Sequence, residues 1–141
     1  MNRRAALILA AVAASASAGR AMAGGGDEAP AAATVELQPV GLPVLSEGRI
    51  RNYVFVHIRL HLAPGKDQTQ ARNRSAHIRD AIVRAAHRVP FTLPDTWLLL
   101  SEPRIRAAAE AAARVHLGEG FVVRAEVTSQ TPRRRTSMLG T

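Results

Sequence analysis

Fourteen residues, Arg49–Leu62 (RIRNYVFVHIRLHL), hold the longest alternation of apolar and polar side chains in this chain. A period of two puts Val54, Val56, Ile58, Leu60 and Leu62 on one face of an extended strand. Tyr53, Phe55, His57, Arg59 and His61 fall on the other. A helix would scatter those five aliphatics around its circumference, because each residue turns the chain by about 100°. The segment therefore reads as a strand, and a strand with one apolar face requires a second layer to bury it.

The rest of the chain offers that layer. Ala63-Pro64-Gly65 ends the strand with turn chemistry. A helix follows, starting at Gln68 or Asn73 and running to Arg88, with Ile78, Ala81, Ile82, Ala85 and Val89 at helical spacing and Pro90 as its stop. Phe91–Leu100 reads as a loop whose Trp97, Leu98, Leu99 and Leu100 plug the core. Ser101 is placed to cap a second helix, with Pro103 in the first turn, where its missing N–H costs little. Ile105, Ala108, Ala109, Ala112 and Val115 would form the buried face of that helix, and Gly118-Glu119-Gly120 its end. A last strand, Phe121–Ser129, is expected to bury Phe121, Val123, Ala125 and Val127 and to expose Arg124, Glu126 and Thr128. Upstream, Val35–Leu45 contains Pro39, Gly41 and Pro43 and suits an irregular edge segment or a short strand, since proline cannot donate to a ladder. Ser46-Glu47-Gly48 reads as a turn. The expected class is α+β: a small antiparallel or mixed sheet of about three strands, covered on one face by two helices.

The ends of the chain have a different character. Residues 1–23 (MNRRAALILAAVAASASAGRAMA) have the three-part form of an export signal. Arg3 and Arg4 supply the positive start, Ala5 to Ala18 the apolar middle, and Ala21-Met22-Ala23 a small-x-small site before Gly24. The paired arginines, the alanine-rich middle and Arg20 before the cut suit the twin-arginine route; alternatively, the arginines serve only as ordinary positive charge. Cleavage between Ala23 and Gly24 would release the protein to the periplasm. An uncleaved segment would instead act as an inner-membrane anchor facing the periplasm, although it is short against the roughly 20 apolar residues of a membrane span. Residues 24–34 read as a flexible linker, 35–130 as a single α+β domain and 131–141 as a basic, disordered tail.

Charge and composition narrow the chemistry. Three of the 19 basic residues leave with the signal and none of the 11 acids, which lowers the formal charge from +8 to +5. There is no cysteine, so disulfides and thiolate chemistry are excluded. A basic exported surface points to anionic lipid headgroups, cell-wall polymers or acidic protein partners; export and the lack of interleaved aromatics argue against nucleic acid. His57 and His61 have H-x-x-x-H spacing. On a strand their Cα atoms stand roughly 13 Å apart at about 3.3 Å per residue, so they form a polar face and not a metal pair. His77, Asp80 and Arg84 make a charged row on the first helix, with no activated nucleophile beside it. Arg79, Arg84 and Arg88, with Arg72 and Arg74, bias that helix positively and are candidates for contact with phosphate-bearing lipid or an acidic partner. The bland alternative is a wet surface in an arginine-rich composition, Lys66 being the sole lysine. With no Ser-His-Asp pattern, phosphate loop or clustered carboxylates, no catalytic residue, metal or cofactor is expected.

Asn52–Leu62, the Ile78-Arg79-Asp80-Ala81-Ile82-Val83 block and a terminal strand ending Val127-Thr128-Ser129-Gln130 together resemble the periplasmic domain of the flagellar basal-body-associated FliL family. The resemblance covers roughly Asn52–Gln130 and rests mainly on hydrophobic pattern. The chain is also similar to small alphaproteobacterial proteins that carry twin-arginine signals. What the FliL resemblance implies is a non-enzymatic domain of the stomatin/prohibitin type, held by one membrane helix, that associates with itself and with flagellar stator units. The chain departs from the family in its apparent cleavage site and in the tail Thr131–Thr141. The expected function is an exported protein acting through protein–protein contact, with Tyr53, Phe55 and the Arg79, Arg84, Arg88 helix as contact candidates. It is either a FliL-like flagellar accessory or a soluble periplasmic adaptor sharing only the fold.

Overall fold

The structure, a computed structural model, describes residues 32–135. The export signal with Arg3, Arg4, Ala23 and Gly24 lies outside the described residues, as do most of the linker and residues 136–141. The elements in chain order are β1 (Thr34–Glu36), β2 (Val40–Ser46), β3 (Arg49–Leu62), α1 (Gln68–Arg88), β4 (Thr92–Leu93), β5 (Thr96–Leu100), α2 (Glu102–Leu117) and β6 (Val122–Pro132). The fold is α+β, with an antiparallel sheet and two helices on one of its faces. None of the described helices is long and apolar enough to cross a membrane.

β3 is the long strand expected from its alternation, and it is the centre of the sheet. β6 runs antiparallel along one side of it, while β1 and β2 follow one another along the other side. Val54, Val56, Ile58, Leu60 and Leu62 are completely buried. The Glu47-Gly48 turn joins β2 to β3 with both residues at positive φ (54° and 72°), the geometry of a two-residue hairpin loop whose twist matches its strands. Pro39 falls in the gap between β1 and β2, and Pro43 sits in an edge strand, where its missing N–H breaks no inner ladder.

Both helices press small or aliphatic residues onto β3's apolar face. α1 begins at Gln68, one residue after Asp67, whose carboxylate accepts from the Thr69 N–H at 2.9 Å. Its buried stripe is Ala71, Ile78, Ile82 and Ala86. Val89, expected in that stripe, is instead the C-cap and is 63% exposed, because the helix has ended before it and its backbone is extended. α2 buries Ile105, Ala109, Ala112 and Ala113. Val115 is 78% exposed, a second departure from expectation: position 115 is two residues, about 200°, from Ala113. Ser101 holds the N-cap position without a side-chain capping bond.

Three boundaries shift. Phe91–Leu100 is not a plugged loop but a β4–β5 hairpin, with Leu100 buried, Trp97 half-buried against the core and Leu99 exposed. The 24–34 linker ends early, since Thr34 belongs to β1 and the Ala33 carbonyl accepts from the Leu62 N–H. The domain does not stop at residue 130. β6 continues to Pro132, the Arg133 N–H donates to the Tyr53 carbonyl at 2.7 Å, and Arg134 is bonded through its backbone to Asn52. The tail expected to be disordered from 131 is therefore strand and ordered chain at least that far.

β6 also breaks the simple alternation predicted for it. Its register against β3 slips twice, leaving Val123 and Thr128 as the extra residues of two β-bulges. Each bulge reverses the phase of the faces. Val122, Ala125, Val127 and Gln130 thus face Leu62, Leu60, Ile58 and Val56, whereas Val123 is 64% exposed.

Candidate functional site

Two helices and the β4–β5 hairpin cover the apolar face of the sheet, and the opposite face carries no layer among the described residues. Sequence periodicity placed Tyr53, Phe55, His57, Arg59 and His61 there, and the structure keeps them together on it. The Trp97 hairpin does not close over the aromatics. It lies on the other side, where the Trp97 carbonyl accepts from the buried Asn52 side chain at 2.9 Å.

The open face has two halves. In the first, Phe55 is paired across the ladder with Gly41, and Tyr53 with Pro43. A Cβ built on Gly41 would stand 3.4 Å from the Phe55 ring, so the ring lies over the bare glycine backbone, an arrangement that covers a weak point in an edge strand. Phe55 nonetheless stays 42% exposed. In the second half, Glu36, Arg59 and Glu126 are direct cross-strand partners on β1, β3 and β6. Arg59 Nε donates to Glu36 and its Nη1 lies 3.5 Å from Glu126, while His61 Nε2 meets Glu126 Oε2 at 2.8 Å. The Glu126 carboxyl is held below its ordinary range, first by the His61 hydrogen bond and then by the nearby charges of Arg59, His61 and Arg124, with burial opposing. The Arg59 guanidinium is raised, first by its hydrogen bond to Glu36. His57 is exposed opposite Ser129 and takes no part in these ion pairs.

The arginines of α1 do not make one patch. Arg79 folds toward the sheet edge and donates to the Pro39 carbonyl at 3.0 Å. Arg84 is paired with Asp80 at 2.9 Å, and Arg88 is exposed beside an alanine-lined groove between α1 and α2. His77 does not join Asp80; it stacks on His116 of α2, with ring centroids 5.6 Å apart. Ser75 donates to the Arg72 carbonyl.

No protein-family model matches this chain, and no curated protein matches it. The site must be read from its own geometry. Among the described residues no group of three or more His, Asp or Glu is placed to hold a metal ion. What the open face offers is a flat surface with an aromatic half and a charge-paired half. Such a surface suits a macromolecule better than a small substrate, which needs a concave pocket.

Sequence reading missed three side chains that organise the fold around this face. Asn52 is only 5% exposed and fills every hydrogen-bonding position it has. Its signal was present, as a polar residue in phase with the buried aliphatics of β3. Gln130 bridges the backbone N–H and C=O of Leu100, at 2.8 and 3.2 Å, and Glu110 accepts from the Ala125 N–H on β6. No local pattern marks either, because their partners are backbone atoms of other elements.

Proposed function

We propose that this protein is an exported, non-enzymatic component of the cell envelope that works by protein–protein contact through the open face of its sheet. The observation that carries the reading is Phe55: a large aromatic, 42% exposed, on a sheet face that no other element covers among the described residues. Aromatic residues in such positions are enriched in contact surfaces, where they supply area at low entropic cost. The Glu36–Arg59–Glu126 ladder beside it would fix register, since charge placement contributes more to specificity than to affinity. The occupant is an envelope protein or a second copy of this chain. The resemblance in Asn52–Gln130 gives the reading its specific form, a FliL-like accessory at the flagellar basal body in contact with stator components. The Ala21-Met22-Ala23 sequence favours a second form, a free periplasmic adaptor released from its signal.

The experiment is a Phe55→Glu exchange in the native host, read by crosslinking and sedimentation of the envelope fraction. The expected result is loss of the crosslinked assembly while the protein stays folded and exported. An unchanged assembly would overturn the sheet face as the contact. Swimming of a deletion strain under viscous load separates the two forms: a defect supports the flagellar role, and normal swimming supports the adaptor.

A further inference from the structure

At the end of the sheet where β3 begins, the hairpin, the central strand and the C-terminal segment border a half-open cavity of about 290 Å³ lined by Ile50, Arg51, Asn52, Trp97 and Arg134. A smaller recess of about 110 Å³ adjoins it on the Tyr53 and Arg133 side. Two hydrogen-bond donors here, Arg51 Nε and Trp97 Nε1, are buried and have no acceptor in the structure. A buried donor without a partner costs roughly 1–3 kcal/mol, and an indole N–H can only donate. By contrast, the acceptors nearby are in use. Asn52 Oδ1 accepts from the Tyr53 and Arg134 N–H groups, and the Trp97 and Arg134 carbonyls both accept from Asn52 Nδ2.

The charge has the same sense. Arg49, Arg51, Arg133, Arg134 and Arg135 converge on this end by chain position and pairing. Glu47 holds Arg51 through Nη2 at 3.1 Å, leaving Nε free, and Asp95 stands exposed in the β4–β5 turn. Among the described residues Arg133, Arg134 and Arg135 have no carboxylate partner. Asn52 makes the site rigid, since it ties β3, Trp97 and Arg134 together through one side chain. Arg51 lies over the Trp97 ring at 5.3 Å, which sets the guanidinium beside the indole.

We propose that this cavity is a binding site for a phosphate group. It presents donors and positive charge, and the acceptors named around it, Asn52 Oδ1, the Trp97 and Arg134 carbonyls and the Glu47 carboxylate, are each already bonded, so a ligand that brings acceptors and negative charge suits it. The donors come from three separate elements, and a tetrahedral oxyanion offers oxygens in enough directions to meet them. The group is either a free phosphate compound or a phospholipid headgroup. The site does not depend on the open sheet face, and either can fail without the other.

Trp97 is the only tryptophan in the chain, so its fluorescence reports on this cavity alone. The full-length protein is titrated with inorganic phosphate at constant ionic strength, with calorimetry alongside. The expected result is saturable binding that weakens about tenfold in Arg134→Ala, the loss expected for one charge-assisted hydrogen-bonding partner. That variant keeps the backbone bonds to Asn52. Arg106→Ala, which removes the same charge from the exposed side of α2, should bind as the native protein does. Absence of saturable binding by both methods, or equal loss in the two variants, would overturn the proposal. Phosphatidylcholine vesicles with and without phosphatidic acid then identify the source. Retention that needs phosphatidic acid and is lost in Arg134→Ala assigns a headgroup, and a response to free phosphate alone assigns a soluble ligand.

Discussion

Asn52 spends both amide hydrogens and both carbonyl lone pairs on backbone groups of Tyr53, Trp97 and Arg134. A fully satisfied buried amide fixes a unique arrangement, and its truncation leaves several groups unpaired in a dry site. Asn52→Ala should lower unfolding free energy by about 2–4 kcal/mol in urea titrations. It should also speed hydrogen exchange at the Arg133 and Arg134 amides. At the other end of the strand, Glu126 titrates below its ordinary value of 4.5, so its ionised form stabilises the folded state. That contribution is present above the unfolded-state pKa and is lost as pH falls through the lower folded value. Acid unfolding followed by circular dichroism should therefore begin at higher pH in the native protein than its neutral-pH stability alone would give. Glu126→Gln should remove this part of the pH dependence below about 4.5 and leave the rest of the profile intact.

Between elements, some backbone groups that no neighbouring strand reaches are completed by side chains. Gln130 acts as a surrogate strand, bridging β6 to the edge of β5 at Leu100. Gln130→Ala would leave the Leu100 N–H and C=O unpaired at a position 1% exposed. A loss of about 2–4 kcal/mol is expected, with the earliest exchange in the β4–β5 hairpin amides. A loss spread evenly over the whole sheet would contradict a hairpin-specific role. Glu110 performs a similar service on the free side of β6, where its carboxylate accepts from the Ala125 N–H. With the two bulges, that bond makes β6 a poor template for edge-to-edge pairing. This is why the contact surface proposed above is the open sheet face and not the strand edge.

At the scale of the whole molecule, one cluster joins Val35 and Leu37 at the N-terminal side to Phe121 and Ala125 at the C-terminal side. β3 touches every other strand of the main sheet, so the core cannot be divided without exposing it. A fragment spanning residues 32–135 should therefore unfold in one cooperative urea transition, with fluorescence of Trp97 and far-ultraviolet circular dichroism coinciding. Truncation at residue 130 should destabilise it, because it removes Thr131, Pro132 and the Arg133 and Arg134 bonds to Tyr53 and Asn52. A truncated form as stable as residues 32–135 would show that those bonds add nothing.

Much of this was legible in the linear chain. The alternation in Arg49–Leu62 determines a strand and its two faces, and Pro90, Pro103 and Gly118 determine where two helices stop and start. Those signals are local, fixed by backbone geometry within a few residues, and they suffice for an α+β class with helices on one side. The aromatic and charged composition of the open face follows from the same alternation. What the sequence could not determine is any feature that depends on register between distant segments. The two bulges of β6 decide that Val123 is exposed and Gln130 faces inward, and they exist only against β3. Arg79 and Arg84 look alike in the chain, yet one finds a carbonyl 40 residues away and the other an aspartate one turn away. Asn52 and Arg134 are 82 residues apart, and both line the cavity beside Trp97. Periodicity fixes which way a side chain points from its own element; only the packed molecule fixes what it meets there.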